Sequence, residues 1–242
     1  MRPLKFFWKG SRLRMNEQTT SFVRIRDDLA AGKRVLILVR HAERPRINNE
    51  DPSFGDSLGL TAEGERTAHA FGQSLAHAVC DVQFRASPLQ RTMRTAECIA
   101  KGMGIENASI TPDAIVGNDC AFVVDQYQMW ELFRDGSFFK AMGTYLTMGE
   151  QRGFREIHAA ADRFEHDMLA RFKGQLGIFV THDLYIAAFL QAKGIKTDFN
   201  RETWPHFLDA AVLTEEGAEE WRLEFFRSGL SDGICGVEVQ QA

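Results

Sequence analysis

Five consecutive aliphatic residues, Val35-Leu36-Ile37-Leu38-Val39, run straight into Arg40-His41-Ala42-Glu43-Arg44. A strand with one face in water alternates apolar and polar side chains, whereas one that is apolar at every position is buried on both faces. Burying both faces requires layers on either side of a sheet, which restricts the chain to α/β architectures. Ligands of such sheets gather at the carboxyl ends of the strands. Two arginines flanking a histidine at that edge are therefore less comfortable as a solvated turn than as part of a polar site.

The rest of the chain repeats the alternation. Phe22, Ile25 and Leu29 recur at helical spacing ahead of Gly32, and Thr61 is a plausible N-cap for a helix whose apolar face is Ala68, Phe71 and Leu75. Val82 to Ala86 reads as a second strand, ended by Ser87-Pro88. Met93, Ala96, Ile99, Ala100 and Met103 then line a helix that stops at Gly104. Ser109 to Thr111 is a third strand and Gly177 to Thr181 a fourth, followed by a helix over Leu184 to Lys193. Ala210 to Thr214 and Trp221 to Phe226 close the chain as a hairpin. The expected fold is a three-layer α/β sandwich, with a largely parallel central sheet and helices on both faces, in one domain over residues 21–242. Residues 117–175 interrupt the pattern with Phe122, Tyr127, Trp130, Phe133, Phe138, Phe139 and Tyr145. Either they are ordinary core helices, or they form a small helical cap whose aromatics wall a pocket at the ligand edge.

Composition excludes several alternatives. With 29 basic and 33 acidic residues the formal charge is −4, which argues against a nucleic-acid partner held by bulk positive charge. The longest aliphatic run is five residues where a membrane span needs about twenty, so integral membrane association is not expected and the expected location is cytoplasmic. The four cysteines show no CxxC pair, which removes zinc ribbons and disulfide scaffolds. His69, His77, His158, His166 and His206 have no metal-ligand spacing and read as structural, so no metal and no cofactor is expected. Residues 1–14 carry Arg2, Lys5, Lys9, Arg12 and Arg14 around Phe6-Phe7-Trp8. Residues 1–20 read as a flexible basic tail, with contact to an anionic membrane surface through residues 1–14 as the alternative. Oligomeric state is not legible.

Three strand ends carry the chemistry. After the second strand, Ser87-Pro88-Leu89-Gln90-Arg91 puts Arg91 in the first turn of a helix, where a cation opposes the macrodipole unless an anion sits there too. The fourth strand ends in Thr181-His182-Asp183. Together the ends offer three arginines, two histidines and an acid, an inventory suited to phosphoryl transfer. A neutral imidazole attacks phosphorus, guanidiniums neutralise the equatorial oxygens, and the acid protonates the leaving oxygen. No phosphate-cradling glycine motif and no carboxylate cluster for magnesium accompanies them, so arginines would do a metal's work.

These segments resemble the histidine phosphatase superfamily, whose hallmark is an Arg-His-Gly motif at the end of the first strand. Arg40-His41-Ala42-Glu43-Arg44, Gly59-Leu60-Thr61-Ala62-Glu63-Gly64-Glu65, Ser87 to Glu97 and Thr181-His182-Asp183 follow the family's order over about residues 33–190. The resemblance implies a phosphoglycerate mutase-like fold and a metal-independent phosphatase acting on a small phosphorylated substrate. His41 would form the phosphohistidine, and Arg40, Arg91 and His182 would bind the phosphoryl group. Arg44 and Asp183 match the acid-phosphatase branch, in which that aspartate donates the proton; chain length and the Ser-Pro-Leu segment look more like the mutase-and-phosphatase branch. There the donor lies after the third strand, where Asp119 is the nearest candidate and Glu131 a remote one. Asp183 is favoured because it adjoins a site residue. Arg44 could instead pair with a loop acid, and Arg94 reads as a solvated helix position. Ala42 stands where the family carries glycine, and alanine is excluded from some backbone conformations open to glycine. The rivals are a phosphomutase, revealed by phosphoryl exchange between isomers, and an inactive phosphate-binding relative, revealed by binding without turnover.

Overall fold

The computed structural model describes residues 12–15, 20–47, 51, 53, 55–76, 78, 81–134, 138–218 and 220–231. In chain order the elements are β1 (Arg12–Met15), α1 (Phe22–Ala30), β2 (Val35–Arg40), α2 (Ala62–Leu75), β3 (Val82–Ala86), α3 (Gln90–Gly102) and β4 (Ile110–Pro112). After a 3₁₀ turn at Ala114–Val116 come α4 (Gln126–Arg134), α5 (Phe138–Met148), α6 (Ile157–Arg171), β5 (Leu176–Thr181), α7 (Asp183–Ala192), β6 (Ala210–Gly217) and β7 (Glu220–Phe226). The seven strands lie in the order β1-β7-β6-β2-β5-β3-β4. Only the pairings of β6, with β2 and with β7, are antiparallel, so β6 alone runs against the rest. This is the expected three-layer α/β sandwich.

Side-chain alternation along the strands builds two cores, one on each face of the sheet. Val35, Ile37 and Val39 of β2 join Ile178 and Val180 of β5 in packing with Ile25, Phe71 and Ile99 of α1, α2 and α3. Leu36, Leu38 and Phe179 point the other way, into a core with Met129, Tyr145, Phe164 and Phe189 of α4 to α7. All six residues of β2 and all six of β5 are buried, which is why neither shows a polar-apolar alternation.

Register then fixes the site. Arg40 stands opposite Thr181 and Ala86 opposite Val180, so β2, β5 and β3 end level at one edge. The ladder continues past the strands: His41 N–H donates to the Thr181 carbonyl at 3.0 Å, and Ser87 N–H to that of Val180 at 3.0 Å. Three backbones therefore leave the sheet side by side.

Two features depart from the sequence reading. Residues 1–11 and 16–19 lie outside the described residues, but between them β1 pairs in parallel with β7, so part of the expected tail is a sheet edge. The surface contact considered for residues 1–14 falls largely outside the described residues. The aromatic stretch serves both readings at once: Phe122 and Tyr145 are fully buried in the core, while Trp130, Phe133 and Phe138 line a pocket at the carboxyl edge. No helix among the described residues is long and apolar enough to cross a membrane.

Candidate active site

The loop after β2 is held from two sides. Ala42 N–H donates to Thr95 Oγ1 of α3 at 3.0 Å. On the other side, the Glu43 carbonyl accepts from Thr61 N–H at 3.0 Å and its carboxylate from Thr61 Oγ1 at 3.1 Å. Thr61 also caps α2, accepting from Gly64 N–H at 2.9 Å. Gly64 is required by close approach, since a Cβ there would sit 2.1 Å from the Glu43 carbonyl oxygen. Ala42 itself is fully buried with its backbone bonded, so the methyl group is accommodated where the family carries glycine.

His41, Arg40, Arg44, Arg91, His182 and Asp183 line one pocket at the strand ends. The structure thus brings together the residues expected there. Asp119 does not line it, although its neighbour Asn118 does. Arg94 points elsewhere, in a double contact with Glu65 at 2.7 and 3.1 Å. Among the described residues no group of three or more potential metal ligands occurs.

His41 Nδ1 lies 2.8 Å from the Ala42 carbonyl oxygen. A carbonyl has no proton to give, so Nδ1 carries the proton and Nε2 the lone pair. Burial, then the charge of Arg91, then His182, Arg40 and Arg44, holds its pKa well below the ordinary value of 6.5. The ring is therefore a neutral imidazole at neutral pH, with the Nε2 lone pair available. His182, at the N-cap of α7, is 3.2 Å from Ser87 Oγ through Nε2, with its ring centroid 5.4 Å from that of His41. Its pKa is likewise held well below 6.5, by burial first and Arg91 next, with Asp183 opposing.

The arginines are buried at the base of the pocket. Arg40 is 1% exposed; it donates from Nη1 to the Pro205 carbonyl at 2.6 Å, reaches Asp183 Oδ2 at 3.2 Å, and lies 4.1 Å above the Phe207 ring. Arg91, 7% exposed, donates from Nη1 to the Gly55 carbonyl at 2.8 Å. The Nε atoms of both are buried without a hydrogen-bond partner. A buried, unmatched guanidinium N–H is costly unless an anion completes it. Arg44 is buried at 8% exposure and donates to the Pro45 carbonyl at 2.8 Å.

Asp183 accepts from its own helix, at Leu184 N–H (2.9 Å), and from Trp204 Nε1 (3.0 Å), besides Arg40. Burial alone would raise its pKa, but Arg40, Trp204, His182 and Arg44 outweigh it and hold it below the ordinary carboxylate value. Sequence reasoning missed a second pocket carboxyl, Asp56. Its pKa is raised by burial against the opposing charge of Arg91. Trp204, Pro205 and Phe207 were missed as well: they sit in an irregular segment that gives no periodic signal. There Leu208 adopts a positive φ of 65°, and Asp209 accepts from His206 N–H at 2.7 Å and Ser228 N–H at 3.0 Å. A non-glycine residue in that region is strained, and such strain persists where surroundings over-determine it, as beside Arg40 here.

The two neutral imidazoles make stability pH-dependent. Unfolded histidines bind protons below about pH 6.5, while His41 and His182 resist protonation until far lower. Stability from these groups is therefore complete above about 6.5 and is lost as pH falls. Melting temperatures measured from about pH 8 down to 5 should be flat first and then decline.

Known proteins resemble this chain in part of its sequence and in its fold. Residues 36–115 match the family model of the histidine phosphatase superfamily (branch 1). No curated protein sequence matches the chain. Among solved structures, phosphoglycerate mutase from Bacillus anthracis superposes with a TM-score of 0.55 at 13% identity, covering 80% of this chain and 92% of that one. A phosphoserine phosphatase from Entamoeba histolytica gives 0.54 at 15% identity, over 81% and 98%. The mycobacterial glucosyl-3-phosphoglycerate phosphatase gives 0.53 at 13%, over 81% and 99%. At these identities the likeness is one of fold. The match is to branch 1 and does not extend to Asp183, so it does not bear out the acid-phosphatase-branch reading of Arg44 and Asp183. The chain thus has the phosphoglycerate mutase-like fold, and its residues 36–115 are similar to the histidine phosphatase superfamily.

Proposed function

We propose that the protein is a metal-independent phosphomonoester hydrolase that works through a phosphohistidine on a small phosphorylated metabolite. The observation that carries the reading is the neutral His41, its Nδ1 proton tied to the Ala42 carbonyl, beside three buried guanidiniums. In the first step Nε2 attacks phosphorus as the bond to the leaving oxygen breaks. Arg40, Arg44, Arg91 and His182 take the charge on the non-bridging oxygens, and Asp183 gives its proton to the leaving alkoxide. In the second step the Asp183 carboxylate takes a proton from water, whose oxygen attacks phosphorus. The phosphorus–nitrogen bond breaks, and inorganic phosphate and neutral His41 result.

Asp183 favours its ionised form in the ligand-free site, so its protonation depends on a substrate dianion offsetting Arg40 and Arg44. Asp56, already shifted toward the protonated form, is the second candidate for the donor. The two separate by leaving group. An alkyl oxygen needs a proton and a nitrophenolate does not. Loss of the true donor should lower hydrolysis of an alkyl phosphate by about 10²–10⁴-fold and of 4-nitrophenyl phosphate far less. Asp183→Asn should show that split and Asp56→Asn should not; the reverse pattern moves the role to Asp56. Rates are read as phosphate release over about pH 4 to 8 with excess EDTA. EDTA-sensitive turnover, or phosphoryl exchange without release, would overturn the hydrolase reading.

A further inference from the structure

The pocket has two unlike ends. Its arginines, Arg40, Arg44 and Arg91, are gathered with both imidazoles at the strand termini. The rest of its lining is Ile47, Met129, Trp130, Phe133, Phe138 and Leu184, with Asn118 and Tyr185 as the polar exceptions. Among the described residues neither a lysine nor a further arginine lines it, and the remaining charges there are Asp56 and Asp183, both negative. Three cations suit one phosphoryl dianion held with its charge developing in transfer. A carboxylate or a second phosphate on the leaving group would meet carboxylates and aromatic rings, with no cation left to pair it.

The aromatic side is a built wall. Phe133 and Phe138 meet edge to face at 4.9 Å, and Phe138 packs edge to face on Trp204 at 5.4 Å. Trp204 in turn donates to Asp183 at 3.0 Å, so the wall is fixed to the reacting end through one chain of contacts. Phe133 and Phe138 are buried against the α4–α7 core, whereas Trp130 is only partly buried and packs against it. Rings held in place in this way present a preformed apolar surface to a ligand.

Resting on the hydrolase reading, we infer that the substrate is a phosphomonoester whose leaving group is a single uncharged aryl, arylalkyl or medium alkyl alcohol, selected by Trp130, Phe133 and Phe138. Phosphorylated hydroxy acids and bisphosphates are excluded by the same lining.

The test compares 2-phenylethyl phosphate and hexyl phosphate with glycerol 3-phosphate and 3-phosphoglycerate, all esters of poor alkoxide leaving groups. The apolar pair should exceed the polar pair in kcat/KM by about 30-fold or more, as burial of one ring or alkyl chain allows. Trp130→Ala and Phe133→Leu should each shrink that ratio by about tenfold, with melting temperature recorded to exclude unfolding. Equal kcat/KM for the two classes, or a preference for 3-phosphoglycerate, overturns the inference. So does a loss in Trp130→Ala that is the same for every ester. If wild type turns over none of the four, the hydrolase reading fails, and the wall is tested separately by binding. Non-hydrolysable 2-phenylethylphosphonate should then raise the melting temperature more than 2-carboxyethylphosphonate does, and the opposite order overturns the inference.

Discussion

Replacing His41 with alanine should abolish phosphate release, lowering kcat by on the order of 10⁴-fold or more, because on the proposed route no other pocket residue among those described can take its place as nucleophile. The nearest imidazole, His182, has its Nε2 engaged at Ser87 Oγ and stands at a helix N-cap. Arg40 and Arg91 remain in the variant, so the anion site persists. Inorganic phosphate should still bind and raise the melting temperature, which separates lost chemistry from lost structure. A variant that retained a tenth of wild-type turnover would rule out the phosphohistidine route. Rapid-quench experiments with labelled substrate should also find acid-labile phosphate on the wild-type chain and none on the variant.

The second large effect concerns stability. At the crossing of α2 and α3, Gly72 and Gly102 bring the two backbones into contact. A Cβ on Gly72 would lie 2.0 Å from the Ile99 carbonyl oxygen, and one on Gly102 would lie 2.0 Å from that of His69. Neither obstacle is a flexible side chain, so relief requires the helices to separate. Gly72→Ala should therefore destabilise the fold by about 3 kcal/mol, read as a drop in the urea midpoint at unchanged slope. Gly143 supplies the control, since it lies within α5 and a Cβ there meets nothing within 4 Å. Gly143→Ala should be neutral or stabilising by up to about 1 kcal/mol through helix propensity alone. Because α3 carries Arg91 and Thr95, a tolerated Gly72→Ala chain should also lose kcat out of proportion to its folded fraction.

What could be read in the sequence followed from chain geometry. The β2 and β5 runs announce themselves by continuous apolarity, and parallel pairing brings residues at their ends together whatever their separation in sequence. Arg40, His41, Arg91, His182 and Asp183 were legible for that reason. Asp56 and Trp204 were not. Asp56 lies in a loop whose course is set by Arg91 gripping the Gly55 carbonyl, a contact spanning 36 residues. Trp204 enters the site from the irregular link between α7 and β6, where neither a helical nor a strand period exists to place it. The roles of the 117–175 aromatics were undecidable for a different reason: a ring in a core and a ring in a wall obey the same burial rule, and here Phe133 of α4 and Phe138 of α5 do both at once.

The gathering of Arg40, Arg44 and Arg91 around one pocket bears on the end of the proposed reaction as much as on its beginning. An anion bound among them would relieve the mutual repulsion of guanidiniums that burial leaves poorly screened, and inorganic phosphate would do so as well as an ester. On the proposed route the last product would thus be the site's own counter-ion. Its departure restores the repulsion, so escape of phosphate should be slow relative to the bond-breaking steps and should govern the steady-state rate. Added phosphate should then compete with substrate, and viscosogens should slow kcat.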